Sequence, residues 1–97
     1  MNIKFQVDEK EEYTILSFEL EGNLPPSELK EVKPPNLIGA KGVVLSGRGP
    51  IWLYCYLTHV YHPTRFVATY DPRVGGAVVA ETHCKEYSVG DIIKLDI

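Results

Sequence analysis

Apolar and polar residues alternate from the start of the chain. Ile3, Phe5 and Val7 are separated by Lys4 and Gln6, and after the charged stretch Asp8 to Glu12 the same period returns in Thr14, Leu16, Phe18 and Leu20. A period of two belongs to strands with one covered face, so these runs predict an antiparallel hairpin. Gly22 to Pro26 reads as loop, and Ser27 to Val32 as a helix of at most two turns that Pro34-Pro35 ends, its glutamates on a solvated face. Alternation then gives way to a continuous run, Val43, Val44 and Leu45, between Gly42 and the turn residues Ser46 to Pro50. Such a run predicts a strand covered on both faces.

Pro50 suits the first helical position, where a missing N–H costs nothing. Ile51, Trp52, Leu53, Cys55, Tyr56, Leu57 and Val60 follow, apolar almost all round, so the helix is expected to pack on the sheet and on something else, with Cys55 buried. Pro63 drives His62 out of the α region and stops the helix. Phe66 to Tyr70 is rich in β-branched and aromatic residues and predicts a strand, closed by the turn Asp71-Pro72-Arg73. Ala77 to Thr82 and Ile92 to Ile97 predict two more, around a turn at Ser88 to Asp91. The predicted order is ββαβαβββ. This is an α/β fold, one small domain over residues 1–97, its mixed sheet built around a central right-handed strand-helix-strand crossover.

Composition agrees with that size: 97 residues at 44% hydrophobic content suit one modest core. No apolar run approaches ~20 residues and no charged-then-apolar leader opens the chain, so neither a membrane span nor a secretion signal is expected. Two cysteines, Cys55 and Cys84, give no disulfide framework and suit a reducing cytoplasm. The motif GxxxxGK[ST] of nucleotide-binding loops does not occur.

Charge changes the picture more. From Lys41 to Arg73 the chain carries all three arginines, Arg48, Arg65 and Arg73, and with Lys41 sets four cations against a single acid, Asp71, a formal +3 within a chain of net charge −3. A basic, aromatic-rich segment in an acidic protein points to a local anion site. It does not point to a generalist nucleic-acid surface, and no DNA partner is expected.

The candidate chemistry lies in the same segment. Ser46 and Asp71 end their strands at the carboxyl edge, where open α/β sheets bind ligands. Gly47 and Gly49 permit close approach of backbone N–H groups and, with the helix N-terminus behind and Arg48 between them, suit a phosphate cradle. His59 and His62 sit at the other end of the helix, roughly 15 Å away at about 1.5 Å per residue. Their i, i+3 spacing suits a shared metal but lacks a third ligand nearby. His59 reads better as a partly buried residue packing the helix end, and His83 as too distant in the chain to contribute. Tyr54, Tyr56, Tyr61 and Tyr70 suit base stacking, although aromatics at helical spacing are more often core. On this layout one subunit does not bring His62 and Asp71 to the same phosphate. Either they serve separate sites, or subunits stack with the histidine end of one against the aspartate end of another.

SGRGPIW at residues 46–52, HVYH at 59–62 and YDPR at 70–73 together resemble the small single-domain ring nuclease of type III CRISPR systems, the Csx family numbered three. The likeness runs through nearly the whole chain and is weakest before Lys41. It implies a substrate that is a ring of adenylates, chiefly cyclic tetra-adenylate, or, for related exonucleases, adenylate-rich RNA cut with manganese. It also implies a homodimer that stacks to a tetramer or higher on its ligand and so completes its active sites. Carried onto this chain, the family's ligand positions match Ser46 and Arg48, with Gly47, Gly49 and His59 also expected to bind substrate, and its catalytic positions match His62, Asp71 and Arg73. Pro63 stands where the family has a second histidine, and the Gly75-Gly76 turn is one residue longer than its usual turn. His62 and Asp71 are also the expected manganese ligands. In the expected reaction His62 is the acid, Asp71 the base or a metal ligand, and Arg73 neutralises the phosphoryl oxygens. A sponge that holds the ring without cutting it is the non-catalytic alternative.

Overall fold

The computed structural model describes residues 3–97. Six strands form one mixed sheet in sequential order: β1 (Ile3–Glu9), β2 (Tyr13–Leu20), β3 (Gly42–Gly47), β4 (Phe66–Asp71), β5 (Gly76–Thr82) and β6 (Ile92–Lys94). β2, β3 and β4 run parallel, while β1, β5 and β6 add antiparallel at the two sides. The β2–β3 connection contains a 3₁₀ turn, Pro26–Glu31, and the β3–β4 connection is the helix α1, Ile51–Val60. The order ββαβαβββ holds, with the 3₁₀ turn in the place of the first helix. Its six residues span only two tight turns between prolines, too short to build an α-helical ladder.

Alternation along the central strands fills two cores. Leu16, Phe18, Val43, Leu45 and Val67 meet Leu53, Leu57 and Tyr61 from α1 and its C-cap on one face. Ile15, Val44, Phe66, Ala68, Ala77 and Val79 form the second core on the other, flanked by Cys84, Tyr87 and Ile93. Leu53 and Leu57 are wholly buried and bind the helix to the sheet. The helix is less enclosed than its composition suggests. Ile51 is 82% exposed, and Cys55 and His59 follow it at intervals of four on the outer face. Cys55 is therefore exposed rather than buried. Pro50 is the N-cap rather than the first helical residue, with extended φ and ψ of −66° and 154°. β6 stops at Lys94, short of the expected Ile97, because only Ile92 to Lys94 find partners on β5.

Two local features place the site. Gly42 opens β3 beneath the buried Phe66 ring, and a Cβ there would lie 2.2 Å from Phe66 Cζ. Gly42→Ala is therefore expected to destabilise the fold by about 1–3 kcal/mol through overpacking, measured by denaturant unfolding. The second feature is a bulge. Ala68 pairs with Val79 but Val67 pairs with Glu81, so Ala80 is an extra residue in β5. The bulge turns Glu81 onto the face of Val67, which is the face α1 covers.

Candidate functional site

Candidate residues gather at two opposite edges of the sheet. At the carboxyl edge β4 ends in Asp71, and the four residues 72–75 lead into β5. The turn is held by Val74 N–H donating to Asp71 O (3.1 Å) and by Gly75 at φ +75°, a conformation that favours glycine. Asp71 receives three hydrogen bonds from Arg73: the backbone N–H (2.9 Å) and Nε (3.1 Å) reach Oδ1, and Nη2 reaches Oδ2 (3.0 Å). This fork fixes the guanidinium while leaving the side chain 88% exposed. Arg73 holds the Asp71 carboxyl below its ordinary value of 3.8, chiefly through the side-chain bonds and then the backbone one. A carboxyl shifted in this direction strengthens the turn above the normal carboxylate range, and the contribution disappears as pH falls through the lowered value. It is also a poor proton acceptor near neutrality.

Beside this turn lies a cleft of about 390 Å³ lined by Gly49, Ile51, Tyr54, Thr69, Tyr70, Asp71 and Arg73. Arg48 stands exposed on the adjoining loop and makes no ion pair or hydrogen bond among the described residues. Ser46, the penultimate residue of β3, pairs with Ser17, and because Leu45 enters the core under α1, alternation sends the Ser46 side chain to the other face. Gly47 does not offer a free amide to a phosphate. Its N–H donates to Tyr54 Oη at 3.0 Å, and the same hydroxyl donates to Gly47 O at 2.5 Å. A Cβ on Gly47 would meet Phe18 O at 2.4 Å, so close packing on β2 is itself a reason for glycine.

At the opposite edge, α1 ends with the N–H of Tyr61 bonded to Leu57 O, and the chain turns so that His62 faces the end of β5. His62 Nδ1 is in direct contact with Glu81 Oε1. His83 approaches the same oxygen at 3.6 Å, its Nε2 lies 3.0 Å from His62 O, and the two imidazoles stand edge to face at 5.0 Å. His83 N–H donates to Arg65 O, which anchors this end of the chain beside the start of β4. The expectation that His83 is too distant to contribute is thus corrected: antiparallel return brings it to His62. His59 is not the partner of His62. It is exposed on the outer face of α1, not packed at the helix end.

The ligand atoms of His62, Glu81 and His83 all lie within 4.8 Å of one another. Two imidazoles and a carboxylate form a donor set compatible with a divalent transition ion, manganese included. The expected pair His62 and Asp71 is not assembled within one chain. Glu81 is opposite Val67, and Asp71 lies four residues further along β4, about 13 Å at the rise of a strand.

Comparison with known proteins assigns the chain. The family model described as CRISPR-associated protein (Cas_csx3) matches residues 17–94, which include all of these site residues. The chain belongs to this CRISPR-associated family. It is also similar to a protein of Aquifex aeolicus (strain VF5), described only as uncharacterized, with 49% identity over 85 residues covering 84% of this chain and 77% of the relative. Among the described residues no helix is long and apolar enough to cross a membrane.

Proposed function

We propose that this CRISPR-associated chain is a cytoplasmic phosphodiesterase that opens cyclic tetra-adenylate, the second messenger of type III systems. The observation that carries the reading is the division of chemistry between the two edges of the sheet. One edge holds fixed or uncommitted cations, Arg73 and Arg48, without an imidazole. The other holds His62, Glu81 and His83, while Arg65, the arginine nearest to them in the chain, is tied to Glu86 at 3.0 Å. A ring held between two copies in opposite orientation meets both sets. In this reading a homodimer stacks to a tetramer or higher on its ligand, and the outer face of α1, with Ile51 and Cys55 exposed, is available for the first association.

RNA supplies its own nucleophile. The ribose 2′-OH attacks the adjacent phosphorus in line and gives up its proton to solvent, the P–O5′ bond breaks, and the strand ends in a 2′,3′-cyclic phosphate while the 5′ oxygen takes up a proton. Arg73, aligned by Asp71, directs its remaining donors at the phosphoryl oxygens. Asp71 orients that guanidinium rather than taking the proton, since its carboxyl is held low. Glu81 engages Nδ1 of His62 and leaves Nε2 for the leaving oxygen. Manganese bound by His62, Glu81 and His83 would supply Lewis acidity at the phosphoryl group. That donor set also favours a second reading, a manganese-dependent exonuclease on adenylate tails.

The deciding experiment incubates the protein with a panel of cyclic oligoadenylates and linear poly(A), with and without chelator, and identifies the products. Opening of the tetra-adenylate ring supports the nuclease. An intact but protein-bound ring means a sponge, and manganese-dependent loss of poly(A) with the ring spared means an exonuclease. Arg48→Ala is expected to weaken ring binding about tenfold or more, the scale of a lost charge-assisted hydrogen bond, with a smaller effect on the chemical step. Titration under conditions that suppress cleavage measures this directly, and unchanged affinity removes Arg48 from the site.

A further inference from the structure

Arg48 can act only if its loop is held, and the loop has an unusual anchor. Pairing between β3 and β4 ends at Leu45 and Thr69, so neither main-chain polar group of Gly47 has a β4 partner in register. Both are satisfied by one side chain, the Tyr54 hydroxyl from the first turn of α1, which accepts from Gly47 N–H at 3.0 Å and donates to Gly47 O at 2.5 Å. A hydroxyl has the donor and the acceptors that this double role requires. Burial raises the Tyr54 pKa above its ordinary value, so the proton needed for donation is retained at neutral pH. The ring is itself fixed, edge-on to Phe18 at 5.1 Å. Phe18 also closes the space above Gly47 and Gly49, where added Cβ atoms would come within 2.8 Å and 3.1 Å of its Cε2.

The anchored Gly47 and the packed Gly49 flank Arg48 directly in the chain. The guanidinium has no partner of its own among the described residues, so nothing else orders it. Tyr54 also lines the cleft beside Asp71 and Arg73, on the side of the sheet that α1 covers. We propose that Tyr54 is a positioning residue for the anion-binding loop, tying the backbone at Gly47 so that Arg48 is presented at the cleft in the geometry a phosphate of the substrate requires. This rests on the cyclic-adenylate reading above. Tyr54 does not touch substrate in this role. It acts by lowering the entropy that Arg48 and its loop lose on binding.

The test is a double-mutant cycle on Tyr54→Phe and Arg48→Ala, read as affinity for cyclic tetra-adenylate with cleavage suppressed and as KM against kcat during turnover. Tyr54→Phe keeps the ring and its contact with Phe18 and removes only the hydroxyl. It is expected to weaken binding about five- to tenfold, to raise KM more than it lowers kcat, and to add little once Arg48 is already alanine. Hydrogen exchange supplies a readout without ligand: the loop amides around Gly47 should exchange faster in Tyr54→Phe while those of Val43 to Leu45 do not change. If Arg48→Ala weakens binding but Tyr54→Phe leaves it unaltered, or if the two losses simply add, Tyr54 does not position Arg48 and the inference is overturned while the function stands. If Arg48→Ala itself has no effect, the anion-site reading fails and takes the inference with it. A uniform increase in exchange across the sheet would show a general packing role and would also overturn it.

Discussion

Mixing two inactive variants, His62→Ala and Asp71→Ala, is expected to restore activity that neither has alone. Each substitution should reduce turnover of the ring by roughly 10²–10⁴-fold, the first by removing a proton carrier or ligand and the second by releasing Arg73. Within one chain the groups cannot meet, since Glu81, which engages His62, lies opposite Val67, and Asp71 is four residues further along the same strand. A mixed assembly in which opposite edges face each other contains some sites with an intact His62 from one copy and an intact Asp71 from another. Random assembly limits the recovery to about a quarter of wild type, which still lies far above either variant alone. The reaction requires only that both variants fold and associate. That is the expected case, since both side chains are in exposed contacts and contribute to neither core. Failure to complement, with co-assembly on the ring demonstrated by native mass measurement, would falsify the composite site and return both residues to one subunit or to separate functions.

Much of the fold was legible because it depends on patterns that a single chain carries. The alternation in β2, the unbroken apolar run of β3 and the Pro-bounded α1 each report how many faces of the element are covered, which is a local property of the sequence. The carboxyl-edge half of the site was legible for the same reason: Asp71 and Arg73 are two residues apart, and their pairing needs only the turn between β4 and β5. The histidine edge was not. His62 and Glu81 are nineteen residues apart, and the strand return that joins them includes a bulge at Ala80 that no residue type announces. Strict alternation from Ala77 and Val79 would send Glu81 into the second core's face, away from His62. One signal was available: Glu81 and His83 are spaced i, i+2 at the end of an apolar strand, so their side chains share a face. The role of Tyr54 was hidden too, because a tyrosine in an apolar helix reads as core until its hydroxyl is seen on the backbone of Gly47.

Replacing any one of His62, Glu81 or His83 by alanine is expected to abolish tight manganese binding without unfolding the protein. The three donors lie within 4.8 Å of one another, while their surroundings supply no fourth carboxylate or imidazole among the described residues. Removing one of three therefore leaves two, a set that water-filled coordination of a hard divalent ion gains little from, so affinity should fall by at least about 100-fold, beyond the 10–100-fold that losing an outer-shell partner costs. The three do not contribute to the core: the side chains of His62 and His83 are 56% and 50% exposed and that of Glu81 is 30% exposed. Thermal unfolding without metal should shift little in the variants, whereas added manganese should raise the midpoint of the wild type alone, because an ion that binds only the folded state stabilises it by mass action. Electron paramagnetic resonance of free manganese gives the binding isotherm independently of any activity. Asp71→Ala serves as the control, since Asp71 lies at the other edge with its oxygens engaged by Arg73, and within an unstacked chain its loss should leave the isotherm unchanged. Equal loss of binding in the Asp71 variant at concentrations where the protein is not stacked would place a carboxylate from the turn in the metal site, and the assignment of the ion to the triad would then be wrong.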